Sequence, residues 1–270
     1  MGESFTPGAP VIFQQHAPAG ADQLVRNVRH ALSLGLPELR DFEYPREETL
    51  SIIANGPSAR EAPLEGVTLA LNGALRLFTD RGLAPTFWAA CDPQPLVAEF
   101  LKDAPEDTVY LVASKCDPSV FQALVGRRVV LWHVHEEATA PLFTTSRIAP
   151  GVSITICAFE LMARLGYRAF ETWGWDGCLF EDREQHAIPQ AAINADLILI
   201  FRKPGSTAEP TEDAQEGDRV FHTSRTWAHE AEDAVQALRG FPFDVTIHGG
   251  GYIGAFLELY LPPHFVTAAP

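Results

Sequence analysis

Asn55, Asn72, Asp92, Ser114, His133 or His135, and Asp176 each close a short apolar run, a recurrence that packing alone does not demand. In open α/β sheets ligands bind beyond the carboxyl ends of the strands, so side chains at these positions can reach a bound molecule. Taken singly, each also fits a helix cap or an Asx turn. The sharpest local feature is Asn55-Gly56-Pro57-Ser58. A glycine directly after a buried strand lets backbone approach a ligand, and successive free N–H groups there form an anion nest. Pro57 fixes the turn, and the Ser58 hydroxyl can donate to a phosphate oxygen. The pattern is neither a P-loop nor GxGxxG, and a tight strand–helix turn without ligand uses the same residues. If the nest holds phosphate, Gly56→Val should abolish nucleotide binding and leave the fold in place.

Asp92 follows TFWAA and Asp176 follows AFETW, each at a strand end. Two carboxylates at neighbouring strand ends could hold Mg²⁺, which takes one or two carboxylates plus substrate phosphates. Among nine histidines, His186 lies ten residues beyond Asp176, and His222 ends RVFH directly before a helical segment. Either is a candidate general base. His133-x-His135 would share one face of a strand with no obvious third ligand, which disfavours a metal there. Trp173, Trp175 and Trp227 have rings that can stack on a base or a pterin. Core packing suits Trp173 better, whereas Trp175 is expected to line the crevice. Gly249-Gly250-Gly251 permits close backbone approach at a second loop.

These residues need strands and helices to hold them. Runs at Leu50 to Asn55, Val67 to Asn72, Thr86 to Asp92, Thr108 to Ser114, Arg128 to Val134 and Ala169 to Asp176 read as strands. Helical segments are expected at Leu24 to Leu39, Gly73 to Asp80, Pro95 to Lys102, around Ser119 to Leu124, at Ser153 to Leu165 and at Ser224 to Leu238. Further strands are expected at Asp196 to Phe201 and Phe243 to Ile247, on either side of a polar insertion from Arg202 to Asp218. Alternation of this kind means βαβ units and a mostly parallel sheet. Near-continuous apolar strands such as LSIIA and LILIF suit a sheet covered on both faces. The expected fold is α/β, doubly wound and Rossmann-like, with helices on both faces. Residues 1–46 read as an N-terminal extension with a short helix, 47–262 as the Rossmann-like nucleotide-binding domain, and 263–270 as a C-terminal tail.

Composition narrows the partners. The 270 residues hold 20 Lys+Arg and 35 Asp+Glu, a formal charge of −15. That balance disfavours a phosphate-gripping surface for duplex nucleic acid or anionic membrane. No apolar run approaches the ~20 residues needed to span a bilayer. Four widely spaced cysteines without a CxxC pair fit reduced thiols in a cytoplasmic protein. Small-molecule substrates are expected, and a homo-oligomer is compatible with the composition.

The order of the pieces resembles the 6-hydroxymethylpterin diphosphokinase MptE-like family, which includes the flagellar motility accessory factors. The resemblance rests on NGPS at 55–58, LNGAL, RGLAPTFWAACDP at 81–93, GVSITICAFELMARLGY at 151–167 and WGWDG. It continues through HTSRTWAHEAEDAVQAL and HGGGYIGA, over roughly 50–255. The layout is also similar, more distantly, to bacterial sialyltransferases. This chain departs from that second pattern with Gly151-Val152-Ser153 in place of Thr-Ser-Gly, with Ala59, and with few tyrosines. The family likeness implies pyrophosphoryl transfer from a nucleoside triphosphate such as ATP to a small hydroxymethyl or hydroxyl acceptor. Gly56 and Ser58 would hold phosphates, Asp92 and Asp176 would bind Mg²⁺, and Trp175 or Trp227 would stack the acceptor. Such chemistry asks mainly for positioning and charge neutralisation. The sialyltransferase likeness implies a CMP-sugar donor touching Asn55, Asn72 and Ser153, with His222 as base. A non-catalytic nucleotide-binding module is the third alternative.

Overall fold

The computed structural model describes residues 19–41, 44–145, 147–180, 197–201, 214, 217–262 and 265–268. His186 and most of the 202–218 insertion lie outside them. Eight parallel strands form one sheet: β1 (Thr49–Ile53), β2 (Thr68–Leu71), β3 (Phe87–Ala90), β4 (Val109–Ala113), β5 (Arg128–Trp132), β6 (Ala169–Trp173), β9 (Asp244–His248) and β10 (Phe265–Ala268). Their spatial order is β10-β9-β6-β1-β2-β3-β4-β5, every neighbouring pair parallel. The chain steps outward from β1 to β5, then returns to lay β6 on the other side of β1. That reversal is the doubly wound switch point, and it opens a crevice beyond the carboxyl ends of β1 and β6.

β1, β2 and β4 are buried along nearly their whole length, as parallel strands covered on two faces must be. On one face, Trp88 and Tyr110 pack ring to ring, and the Trp88 indole N–H donates to the Asn72 carbonyl at 2.9 Å. On the other, Phe159 of α4 (Ile154–Arg164) meets Phe170 edge to face. The described residues before β1 pack against this sheet. Their helix α1 (Ala21–Ser33) stops just before Gly35, whose left-handed φ of +62° lies four residues short of Leu39. Pro37 and Leu39 then pair with Leu131 on the β5 edge through two 2.7 Å backbone bonds.

Between β2 and β3 a 3₁₀ turn precedes the short helix α2 (Leu75–Thr79), and Pro95–Leu101 is 3₁₀ throughout. The helix α3 (Pro118–Ala123) is capped by Asp117, which accepts from the Ser119 N–H. LILIF does not join the covered sheet. It forms β7 (Leu197–Phe201), paired antiparallel with β8 (Arg219–Thr223) in a separate two-stranded ribbon. Only alternate residues are covered there. Leu199 and Phe221 are buried, whereas Ile198 is 56 % exposed. After α5 (Arg225–Leu238), two elements go beyond the expected pattern: α6 (Tyr252–Tyr260), and β10, which turns part of the expected tail into the sheet edge.

Candidate functional site

Loops after β1, β6 and β9 converge at the switch point, and the chain's own groups fill the nest that the sequence assigned to phosphate. The Gly56 N–H donates to the Gly174 carbonyl at 2.8 Å. The Ser58 N–H donates to Asp176 Oδ2 at 2.9 Å, and the Ser58 hydroxyl accepts from the Gly174 N–H at 2.9 Å. Asp176 therefore occupies the anion seat. Gly56 is needed for a different reason from the one expected. Its φ is an ordinary −69°, but a Cβ there would lie 2.5 Å from the Gly174 carbonyl oxygen and against Asp176 Oδ2. The close approach is chain to chain. From the β9 side, Gly249 and Gly251 come equally near, a Cβ on Gly251 falling 2.5 Å from the Asp176 backbone.

Asp176 is 2 % exposed, and among the described residues its Oδ1 has no hydrogen-bond partner. Burial pushes its carboxyl up to about 6, against the lowering effect of the Ser58 N–H and hydroxyl. Between pH 4 and pH 6 the folded state therefore keeps a proton that the unfolded chain has released, so stability falls as pH rises through this window. A shift of about two units amounts to ~3 kcal/mol, present in full above pH 6 and absent below pH 4. Asp176→Asn should lose this dependence. In urea titrations at stepped pH, the variant should gain on the wild type from pH 4 to 6.5. A constant difference across that range would contradict the assignment.

A second group of acidic residues gathers at the start of α4. Ser153 is its N-cap, and the preceding Val152 N–H donates to Asp233 Oδ2 of α5 at 2.8 Å. Glu230, also on α5 and 7 % exposed, accepts from the Trp175 indole N–H at 2.6 Å. Burial raises the Glu230 carboxyl, and the Ser153 hydroxyl and Trp175 hold it back. Trp175 is thus buried, not lining an open crevice, and Trp227 is buried too. Trp173 is the partly covered ring, stacked on His248 at 3.8 Å with a 3° tilt. Glu230 escapes motif reading, but it lies within the apolar stripe of Trp227, Ala231, Ala234 and Leu238, a polar residue on a buried helix face.

The remaining candidates divide. Asn55 is buried at the end of β1. One strand away, Asn72 has a left-handed backbone (φ +47°) and a buried amide oxygen that has no partner among the described residues. Non-glycine residues held in this conformation concentrate at functional sites. His222 is brought near Asp176 by the ribbon: the Leu179 N–H donates to the His222 carbonyl at 2.7 Å, and the Thr223 hydroxyl to Gly177 O at 2.5 Å. Paired with Ile198, its side chain faces solvent. Asp92 stands apart. Its Oδ1 caps the Gln94 N–H at 2.9 Å, and β1 and β2 separate β3 from β6. Three strand spacings put the two strand ends roughly 14 Å apart. Asp92 and Asp176 are not at neighbouring strand ends and do not fit one shared Mg²⁺. Among the described residues no three His, Cys, Asp or Glu side chains are grouped to hold a metal.

Ser114 and His133 also sit inside. His133 Nδ1 is 2.9 Å from Ser114 Oγ, and its Nε2 is 3.5 Å from Glu38 Oε2. With Ser114 1 % and His133 3 % exposed, this chain of groups ties the segment after α1 to β5 and offers no nucleophile to a substrate. A cavity of about 420 Å³ lies at the opposite, amino edge of the sheet, lined by Arg164, Arg168, Phe241 and Phe243 among others.

Fold and crevice together define a doubly wound, Rossmann-like protein with its polar strand ends gathered around the switch point. The family model described as 6-hydroxymethylpterin diphosphokinase MptE-like matches residues 22–182, more than half of the chain, and the protein belongs to this MptE-like family. Among solved structures it is similar to the Maf glycosyltransferase from Magnetospirillum magneticum AMB-1, with a TM-score of 0.58 and 13% identity. The match covers 93% of this chain and 38% of that protein, so the chain spans well under half of its length. At this identity the likeness is one of fold. No curated protein matches the chain. Among the described residues no helix is long and apolar enough to cross a membrane.

Proposed function

We propose that the protein is a nucleotide-dependent transferase that moves a glycosyl unit from a CMP-type nucleotide-sugar to a hydroxyl acceptor. The observation that carries this reading is the acidic occupation of both anion seats. Asp176 fills the loop after β1, and Asp233 takes the N–H before α4 with Glu230 buried beside it. A triphosphate would bring several charges against these carboxylates, whereas a CMP-sugar donor brings one phosphate. The cytidine would lie across the carboxyl ends of β1 and β2, offering a donor group to the Asn72 amide oxygen and further contacts to Asn55 and Ser153. His222, on the ribbon tied to the segment after Asp176, would accept the proton of the acceptor hydroxyl as that oxygen attacks the sugar. The bond from sugar carbon to phosphate oxygen breaks, and CMP leaves.

The family description supports a second reading, transfer of a pyrophosphoryl group from a nucleoside triphosphate, with Asp176 the acidic residue that would serve it at the end of β6. Thermal-shift titration with CMP, UDP and ATP, each with and without Mg²⁺, separates the two. CMP at a hundredfold excess over its Kd should add ~2.7 kcal/mol of stability, a rise of roughly 5–10 °C, with or without the metal. A rise with ATP alone, and only with Mg²⁺, would favour the diphosphokinase. No rise with any nucleotide would overturn both.

A further inference from the structure

Opposite the switch point, at the amino ends of β6 and β9, the cavity of about 420 Å³ opens between three stretches of chain. Asp41 comes from the segment before β1, and Glu160 and Arg164 come from the last turns of α4. Arg168 stands in the turn into β6, and Phe241 and Phe243 in the turn between α5 and β9. Sites that take small molecules run from about 300 to 1,000 Å³. The transferase reading uses none of these residues.

The lining offers three kinds of group. Arg168 is a fixed cation. Its Nη1 donates to the carbonyls of Ala163 (2.6 Å) and Tyr167 (2.7 Å), and its guanidinium carbon lies 4.6 Å over the Phe243 ring. Among the described residues its Nε and Nη2 have no acceptor, and no carboxylate pairs with it, in a chain of net charge −15. A guanidinium in this state presents parallel donors that match a carboxylate. Arg164, by contrast, is taken. Its Nη2 donates to Glu160 Oε1 at 2.7 Å and to the Arg147 carbonyl at 3.0 Å, and Glu160 Oε2 accepts from the Ala149 N–H at 2.8 Å. Asp41 is exposed and stands 3.8 Å from Arg164 Nη1, beyond hydrogen-bond reach, so its carboxylate is left to meet another cation. Phe241 and Phe243, edge to face at 5.0 Å, form an apolar wall between these charges.

We propose that this cavity binds a free aromatic amino acid, with its carboxylate on Arg168, its ammonium towards Asp41 and its ring against Phe241 and Phe243. The lining selects for the zwitterion. A ligand with only an anionic group would meet Asp41 as a like charge, and one with only an amine would meet Arg168 in the same way.

Isothermal titration of the nucleotide-free protein with L-phenylalanine at pH 7 tests this, and one molecule should bind per chain. Benzoate, which lacks the ammonium, and 2-phenylethylamine, which lacks the carboxylate, should each bind about tenfold or more weakly, the scale of one lost charge-assisted hydrogen bond. Arg168→Gln should weaken L-phenylalanine and strengthen 2-phenylethylamine. Asp41→Asn, a change at an exposed side chain, should weaken L-phenylalanine and strengthen benzoate. Should Arg168→Gln fail to fold, the Asp41→Asn titrations decide alone. No saturable binding of L-phenylalanine, equal affinity for the three compounds, or unchanged affinities in Asp41→Asn would overturn the proposal. These titrations use no nucleotide and no turnover, so they stand or fall apart from the transferase reading.

Discussion

Gly56→Val is expected to unfold the protein or to lower its melting temperature by roughly 10 °C or more, the scale of a 3–5 kcal/mol loss. A branched Cβ at this position runs into the Gly174 carbonyl and the buried Asp176 carboxylate, neither of which is a flexible side-chain tip free to move away. Gly174→Ala should be as severe on two counts. Its φ of +72° is left-handed, and a Cβ there would lie 2.6 Å from the Ala54 carbonyl oxygen. Overpacking of about 1–3 kcal/mol and backbone strain of similar size add at that residue. Thermal denaturation of the two purified variants decides the matter. A Gly56→Val protein that melts normally yet binds no nucleotide would restore the ligand-facing role that the sequence assigned to this glycine.

His222→Ala carries the largest expected effect on turnover. The side chain is solvent-facing on β8 and its backbone bond to Leu179 is kept, so stability should stay within ~0.5 kcal/mol. As the group that takes the acceptor proton, its loss should slow the chemical step by about 10²–10⁴. Single-turnover rates at saturating donor, read beside nucleotide affinity, show whether chemistry alone has changed. A loss below tenfold would move the base elsewhere.

Much of the fold could be read from local pattern, because buried parallel strands write themselves as short apolar runs. TLSII, TLAL and VYLVA were legible for that reason, as was the helix from Ile154, with its dense apolar residues. LILIF misleads because a continuous apolar run fits both a covered strand and a ribbon strand with one wet face; only its partner β8 decides. α6 has almost no polar face to give it a period, since YIGAFLELY is buried through most of its length.

The site was legible as a set of strand ends and not as an arrangement. Gly56, Ser58 and Asp176 meet because β6 pairs with β1 across more than a hundred residues, and no local signal encodes that pairing. The same long-range order separates Asp92 from Asp176, two residues with matching local contexts. Asp233 and Glu230 reach the start of α4 from a helix some seventy residues later, so the acidity of the second seat emerges only from packing.

Co-crystallisation with CMP tests the central claim most directly. The nucleotide should lie beyond the carboxyl ends of β1 and β2, with its base or ribose bonded to the Asn72 amide oxygen and in contact with Asn55 and Ser153. CMP seated instead in the amino-edge cavity between Arg164, Arg168, Phe241 and Phe243 would contradict a donor site at the switch point.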